Sequence, residues 1–501
     1  MLMLSSKDKV TVIGAGTMGA GIAQVAAAAG HHVVLLDVAE GVAEKAVESI
    51  KAGLYKLVEK GKKQQADVDV LLNRIQAAQE FESIRDSRLV IEAIVENIEV
   101  KQELFLKIEA LCSNNTIIAS NTSSISISAL AVRSGRPQNI VGMHFFNPAA
   151  ILKLVEVVSG LHTCRSAAET IYETAKAWGK EPVHVKSTPG FIVNRVARPF
   201  YAEALRSVTE QVASVASIDT LMRSCGGFKM GPLELTDLIG QDVNCAVTES
   251  VYNSFYQDKR FMPSALQAEM VAAGFLGRKS GRGFYDYSVE KKVADVEPES
   301  VAMAIAAKVT GRSLTPIASL LKLMSAKGLD SKSRGGGLTR IEVGEAILQL
   351  TDGRTASERA AQQLMPNLVL FDYALDYQST SHIAISFASQ ASDAARSDAV
   401  RFFQDLDKKV CVLRDVPGMQ VMRTVCMLVN EAYDAVNQGV CDATAVDLAM
   451  QAGVAYPQGP VSWGKQIGLE TVALTLRNIQ ASYGEERYRV SPLIQAKAYG
   501  H

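Results

Sequence analysis

Short apolar runs rich in β-branched residues recur through the first part of the chain, at residues 10–13, 33–36, 89–93, 116–119 and 140–143. Runs of this length, apolar throughout rather than alternating, predict strands of a parallel sheet buried on both faces. An alanine-rich stretch over 20–29 predicts the first connecting helix. Polar residues follow each run and so fall at the carboxyl edge of the sheet, where folds of this kind bind ligands. From 40 to 79 the pattern is helical and carries Lys45, Lys51, Lys56, Lys60, Lys62 and Lys63. Two readings of it are open, a solvated helical hairpin and a clamp over a ligand.

From 188 to about 287 the pattern is that of helices, and its first half recurs at a constant offset of 228 residues. Pro189/Pro417, Gly190/Gly418, Arg195/Arg423, Glu203/Glu431, Asp219/Asp447, Met222/Met450, Gly231/Gly459, Pro232/Pro460 and Gly240/Gly468 coincide. One ungapped repeat of this size is a duplicated helical domain rather than a solenoid. The offset extends upstream, pairing 180–185 with 408–413, and runs at 346–350, 368–371 and 383–387 predict further strands. No three-glycine turn accompanies them, since Thr351-Asp352-Gly353-Arg354 cannot form one.

The expected fold is therefore an α/β Rossmann-type nucleotide-binding domain (1–186), a first helical domain (187–288), a linker with a helical part (289–340), a degenerate Rossmann-like domain (341–415) and a second helical domain (416–501). The segment Ser331-Lys332-Ser333-Arg334-Gly335-Gly336-Gly337 is expected to be flexible and open to proteolysis.

Composition narrows the function. The 501 residues are 48% hydrophobic and 21% charged with net charge −1, and the basic residues form none of the blocks that track a phosphate backbone or an anionic bilayer. Nucleic-acid and membrane partners are not expected. Cys112, Cys164, Cys225, Cys245, Cys411, Cys426 and Cys441 lie far apart with no C-x-x-C pair, which points to reduced thiols in a cytoplasmic protein and to no metal site. The first residues carry no secretory leader pattern, and no run reaches the roughly 18 apolar residues of a membrane span.

The chemistry begins at Gly14-Ala15-Gly16-Thr17-Met18-Gly19, between the first strand and the first helix. Gly14 permits the tight turn, Gly16 lets the backbone approach a pyrophosphate, and Gly19 lets helix and strand pack closely. The phosphates then meet the positive end of the helix. Asp37 ends the second strand, where a carboxylate can accept from a ribose hydroxyl, and Val38 and Ala39 supply no cation for a 2′-phosphate. NAD is expected in preference to NADP.

Oxidation of an alcohol by NAD needs a base for the hydroxyl proton, and imidazole suits neutral pH. His144 stands at the end of the 140–143 run. Glu156 interrupts the otherwise apolar Leu154-Val155-Glu156-Val157-Val158, a costly place for a carboxylate unless it is paired. Pairing with His144 would fix the tautomer and stabilise the imidazolium. Taken alone, each residue also reads as a satisfied buried polar group.

These motifs, with Glu92 to Asn97, Asn121-Thr122-Ser123-Ser124, His144-Phe145-Phe146-Asn147-Pro148 and Thr188-Pro189-Gly190-Phe191-Ile192-Val193-Asn194-Arg195, closely resemble the 3-hydroxyacyl-CoA dehydrogenase family. The resemblance covers about 10–287. It implies His144 as general base, Glu156 as its partner, and Ser123 and Asn194 as groups that hold substrate oxygens. It further implies Asp37, Glu96, Lys101, Asn147 and Lys279 as cofactor contacts, with Gly14, Gly16, Met18 and Gly19 in the phosphate turn. Lys51 and Lys56 are candidates for the coenzyme A tail. Ser123 could instead cap a helix, and Asn194 could satisfy backbone near Gly190.

Met422 stands where the first copy has Asn194, so the second copy is expected to be structural. Shorter members of the family pair their helical domains between subunits, and a second helical copy could supply that contact as an intramolecular pseudo-dimer, with a homo-oligomer as the alternative. The two-copy layout resembles bacterial members that act on 3-hydroxyadipyl-CoA in phenylacetate breakdown, with 3-hydroxybutyryl-CoA as the alternative substrate. A hydroxyacid dehydrogenase of the type that uses a catalytic lysine is disfavoured, because residues 190–201 contain none. A non-catalytic dinucleotide-binding protein is the rival of another class.

Overall fold

A computed structural model describes residues 3–290, 294–298, 307–311, 315–332 and 339–500. They divide into two compact units, Met1–Arg195 with Gln438–Val454, and Val196–Asn437 with Ala455–His501. Among the described residues no helix is long and apolar enough to cross a membrane. The glycine-rich segment expected to be flexible lies, from Ser333 to Gly337, outside the described residues.

The first unit is built on eight strands, β1 (Lys9–Ile13), β2 (Val33–Leu36), β3 (Ile75–Ala78), β4 (Ser87–Glu92), β5 (Ile117–Ser120), β6 (Ile140–Phe145), β7 (Leu154–Ser159) and β8 (Glu181–Lys186). Their order is β3-β2-β1-β4-β5-β6-β7-β8. The sheet is parallel through β6, β7 reverses against it, and β8 runs with β7. Helices α1 (Thr17–Ala28), α2 (Val42–Glu59), α3 (Gln65–Leu72), α4 (Ile98–Leu111), α5 (Ile127–Ala131) and α6 (Arg165–Ala177) connect the strands. Val10, Val12, Leu35, Ile91, Val141 and Met143 are buried in one core with Ile22, Ala23 and Ala26 of α1. Because β1, β4, β5 and β6 run the same way, Gly14, Ala93, Asn121 and His144 come to one edge of the sheet.

The helical reading of 40–79 holds for α2 and α3 but not for its end, which forms β3 beside β2. Ile75-Gln76-Ala77-Ala78 is too short and too poor in β-branched residues to announce a strand, and it forms one only because Val33 to Leu36 offer their free edge. The helix Ala443–Val454, from the second helical copy, also belongs to this unit and packs on β7 and β8. Gly453 lets the helix come close to β7, since a Cβ there would lie 2.5 Å from Leu154 Cδ2 and displace that side chain, and the Lys186 N–H donates to Val440 O at 2.9 Å.

The second unit holds a seven-stranded sheet of β9 (Ala307–Thr310), β10 (Asp330–Lys332), β11 (Arg340–Val343), β12 (Ala346–Leu350), β13 (Leu368–Phe371), β14 (His382–Phe387) and β15 (Lys409–Val412), in the order β10-β9-β11-β12-β13-β14-β15. The stretch 289–340 is thus more than the expected linker. It contributes β9, β10 and a helix over Ala318–Ala326, strands that carry none of the continuous apolar patterning of the first sheet. From β12 to β15 the neighbours pair parallel, antiparallel, parallel, the pattern of β5 to β8. The helical repeat is as regular. Pro232–Ile239 and Pro460–Ile467 each begin with proline, and each ends at a glycine of positive φ, Gly240 at 103° and Gly468 at 90°.

Candidate active site

At the first turn Gly14 has φ 97°, a Cβ on Gly19 would lie 1.7 Å from Gly14 O, and a Cβ on Gly16 would meet nothing within 4 Å. Gly14 and Gly19 are therefore fixed by the fold, whereas Gly16 keeps open the space into which a pyrophosphate can come. Met18 follows in the first turn of α1. Asp37 supports the same turn, its Oδ2 accepting from Ala15 N at 2.8 Å and its Oδ1 from Ala39 N at 3.0 Å. These residues fit a dinucleotide.

Along the edge, Glu96 accepts from Thr122 Oγ1 at 2.6 Å, Ser123 N at 3.1 Å and Ser124 Oγ at 3.0 Å. Burial alone would raise its carboxyl, but the Thr122 hydrogen bond and the Lys101 charge outweigh this and hold it below the ordinary value. Lys101 is 1% exposed, with its ammonium shared between Glu92 and Glu96. It lies beneath the loop and bears on it through those carboxylates. Ser126, and not Ser123, caps α5, so the capping alternative for Ser123 is overturned. The Ser123 hydroxyl has no partner among the described residues.

His144 and Glu156 face each other across the antiparallel β6–β7 pair. Nδ1 lies 2.6 Å from Oε2. Glu156 is fully buried, and its Oε1 accepts from Ile192 N at 2.9 Å and Val193 N at 3.0 Å. Two backbone N–H groups at the start of the helix Val193–Val196 and one imidazole N–H thus satisfy the carboxylate as an anion. The proton belongs on Nδ1, and Nε2 is left with its lone pair. His144 is 6% exposed beside Phe146 and Phe191, at ring distances of 4.4 and 5.8 Å, which restrict water around the imidazole. Asn194 lies in the same short helix, and its amide makes no bond to the backbone near Gly190 or elsewhere among the described residues.

The other expected contacts are more scattered. Asn147 is exposed and lines a cavity of about 680 Å³ with Thr17, Gly21, Ser49, Gly53 and Lys180. Lys51 pairs weakly with Glu48 at 3.6 Å, and Lys56 is exposed. Five positions apart on α2, they point about 140° from each other, so they cannot present a single face. Lys279 belongs to the second unit, where it pairs with Asp242 at 2.6 Å.

One relationship was missed at the level of sequence. The 228-residue offset carries His144 onto Asp372 and Glu156 onto Ala384. The pairing agrees, for Asp372 N donates to Ala384 O at 2.9 Å, as expected of the antiparallel neighbours. Asp372 itself accepts from Gln420, Val421 and Met422 N at 2.7–2.9 Å. In the second copy the histidine is gone, and its position holds the carboxylate that anchors the following helix.

Residues 9–188 match the 3-hydroxyacyl-CoA dehydrogenase NAD binding domain, and 190–287 with 418–500 match the C-terminal domain of the same family. The chain belongs to the 3-hydroxyacyl-CoA dehydrogenase family. Its reaction is the NAD-dependent oxidation of a 3-hydroxyacyl-CoA. Residues 348–417 match the reduced Rossmann-fold domain of 3-hydroxybutyryl-CoA dehydrogenase, in keeping with the degenerate copy. Over 496 residues this dehydrogenase is 41% identical to the 3-hydroxyadipyl-CoA dehydrogenase of Escherichia coli (strain K12), covering 99% of this chain and 98% of that one. A crystal structure described as 3-hydroxybutyryl-CoA dehydrogenase from Escherichia coli K12 substr. MG1655 covers 99% of this chain and 98% of its own, with TM-score 0.90 and 40% identity. The 3-hydroxybutyryl-CoA dehydrogenase of Clostridioides difficile is 42% identical over 280 residues, covering 56% of this chain and 99% of its own.

Proposed function

We propose that the substrate is 3-hydroxyadipyl-CoA, oxidised at its (S)-3-hydroxyl to the 3-oxo thioester during aromatic (phenylacetate) catabolism in the cytoplasm. The observation that carries this reading is the likeness to the E. coli 3-hydroxyadipyl-CoA dehydrogenase along 99% of the chain, both copies included. A second reading, 3-hydroxybutyryl-CoA, is favoured by the likeness to the E. coli crystal structure and the C. difficile relative, both named 3-hydroxybutyryl-CoA dehydrogenase.

Bound at the glycine turn, NAD supplies the hydride acceptor. His144 Nε2 takes the hydroxyl proton, and Glu156 stabilises the imidazolium that results. Ser123 and Asn194, whose polar side-chain atoms are unengaged, hold the substrate oxygens. Gly14, Gly16, Met18 and Gly19 hold the pyrophosphate and Asp37 the adenosine ribose, with Glu96, Asn147 and Lys279 as further cofactor contacts, Lys101 serving the cofactor through Glu96, and Lys51 or Lys56, on different faces of α2, as the contact of the coenzyme A tail. The second helical copy takes the place of a partner subunit, a reading supported by ion pairs between the copies such as Arg423 with Glu203.

The test is NADH formation, followed by absorbance, with adipyl and butyryl 3-hydroxy thioesters. A kcat/KM at least tenfold higher for the adipyl form is expected. Equal or better use of the butyryl form overturns the adipyl reading.

A further inference from the structure

Each helical copy packs one of its helices on the sheet of the other copy. The helix Ala443–Val454, from the second copy, lies on β7 and β8. Its counterpart at the 228-residue offset, the helix Val215–Ser224 of the first copy, lies on β14, the counterpart of β7. The backbone repeats the exchange, since Lys186 N donates to Val440 O at 2.9 Å in one unit and Arg414 N to Val212 O at 3.0 Å in the other. Residues 438–454 therefore belong to the compact unit that holds His144 and Glu156, although they come from the copy that has neither residue.

The two contacts differ at one position. In the second unit Cys225 meets β14, its Sγ donating to His382 O at 3.1 Å. The offset puts Gly453 in the place of Cys225 and Leu154 in that of His382. A Cβ on Gly453 would lie 2.5 Å from Leu154 Cδ2 and 3.3 Å from Val193 Cγ2. This glycine lies inside a helix without a positive φ, where alanine is the better helix former, so close approach rather than backbone conformation accounts for it.

Both neighbours bear on Glu156. Leu154 stands two residues before it on β7 and so on the same face of the sheet, and Val193 N is one of the two backbone donors to Glu156 Oε1. The charge of Glu156 also reaches residues 438–454, for burial and then Glu156 push the Cys441 thiol up to about 12. Glu156 is fully buried, with Oε1 held by Ile192 and Val193 N and Oε2 by His144 Nδ1. A shift of Val193 is thus passed through the carboxylate to the imidazole.

We propose that Gly453 is a positioning residue for the His144–Glu156 pair, and that the second copy completes the site of the first by setting a position without a side chain against Leu154 and Val193. A side chain at 453 pushes Val193 aside, turns the carboxylate and moves His144 Nε2 off the line of the hydroxyl proton. A displacement of about 1 Å can cost on the order of 100-fold in rate, so the crowding introduced by one methyl group is readable in kcat. The inference rests on the roles proposed above for His144 and Glu156.

The experiment measures kcat, KM for NAD and Tm for the wild-type chain, Gly453→Ala, Gly453→Cys, His144→Ala, Glu156→Gln and the double variant Glu156→Gln with Gly453→Ala, using whichever of the two thioesters the wild type turns over faster. Gly453→Ala is expected to lower kcat roughly tenfold and Gly453→Cys more, with KM for NAD changed less than about twofold. In the Glu156→Gln background the carboxylate is already gone, so Gly453→Ala is expected to cost less than about twofold further, the non-additivity of two changes that act through one group. A merely structural disturbance lowers kcat by the same factor in both backgrounds and overturns the proposal. Unchanged kcat in both Gly453 variants overturns it as well, and an alanine variant that does not fold assigns the position to the fold and does the same. Undiminished kcat in His144→Ala defeats the catalytic pair and this inference with it, whereas a loss in His144→Ala without one in the Gly453 variants defeats this inference alone.

Discussion

Arg423 and Glu203, both fully buried, lie 3.3 Å apart and tie the second helical copy to the first. The guanidinium also donates to Ser207 Oγ at 2.5 Å and to Tyr483 Oη at 2.9 Å, and Glu203 accepts from Tyr488 Oη at 2.9 Å. Glu431, the counterpart of Glu203 at the 228-residue offset, faces Arg260 of the first copy at 3.2 Å. Each copy thus buries a glutamate at the same helical position and neutralises it with an arginine of the other. Removing one partner strands a buried charge, which typically costs about 3–5 kcal/mol. Arg423→Met is expected to lower stability by that order in urea unfolding, and Arg423→Met with Glu203→Leu to recover most of the loss. If the double variant is no better than the single one, the cost lies in packing rather than in charge.

The same interface bears on assembly. With the helical contact made inside one chain, sedimentation is expected to give the mass of a single chain. A stable dimer that Arg260→Ala or Arg423→Ala dissociates would place these arginines at a subunit interface and defeat the intramolecular reading.

At the proposed catalytic pair of His144 and Glu156, His144→Ala is expected to lower kcat by about 10²–10⁴-fold, the usual contribution of a general base. Glu156→Gln keeps the size of the side chain but can present an amide N–H to Nδ1, favouring the wrong tautomer, so a loss of similar order is expected with little change in NAD affinity. Measured in single turnover, a loss confined to binding in either variant argues against the proposed roles.

The glycines of the phosphate turn separate folding from binding. Gly16→Ala adds a methyl where the fold has open space, so Tm is expected to stay within a degree or two while NAD binding weakens. Gly19→Ala drives a Cβ into Gly14 O and is expected to lower Tm with the binding loss following from it. Titration of NAD by tryptophan or cofactor fluorescence, set beside thermal melts, checks both. Equal melting losses in the two variants would remove the distinction.

How much of this was legible in the sequence follows from where the signals are local. The glycine turn, Asp37 at a strand end and a lone glutamate in an apolar strand each state their constraint within a few residues, so the first sheet and the His144–Glu156 pair could be read. The edge strand β3 and the strands β9 and β10 could not, because their residues become strands only through the neighbours they meet. Asp372 is the instructive failure. The offset was visible in the helices but was not carried back to His144, because histidine and aspartate share no side chain, and only the register of β13 against β14 makes them counterparts.

The pH dependence of stability tests the helical interface from another side. Glu210, Glu485 and Asp258 are all held below their ordinary values. At Glu485 the Arg206 hydrogen bond is the main cause, whereas burial would raise Glu210 and Asp258 but is outweighed by the Arg423 charge at the first and by the Arg489 hydrogen bond at the second. A carboxyl lowered in the folded state contributes stability that is fully present above its unfolded value, about 4–4.5, and is lost as pH falls through the folded value. Asp219 and Asp372 act oppositely, since burial pushes both to about 6. The folded chain therefore binds protons at these two groups before the unfolded chain does, and acidification from pH 7 towards 5 relieves their cost. The expected profile by scanning calorimetry is a Tm flat or slightly rising from pH 7 to 5, followed by a steep fall below about 4.5. Asp219→Asn is expected to remove part of the rise and leave the fall unchanged, while Arg206→Met shrinks the fall because Glu210 and Glu485 then titrate nearer their ordinary values. A Tm that declines steadily from pH 7 downward, unaffected by Arg206→Met, would mean that these ion pairs contribute nothing measurable to the interface.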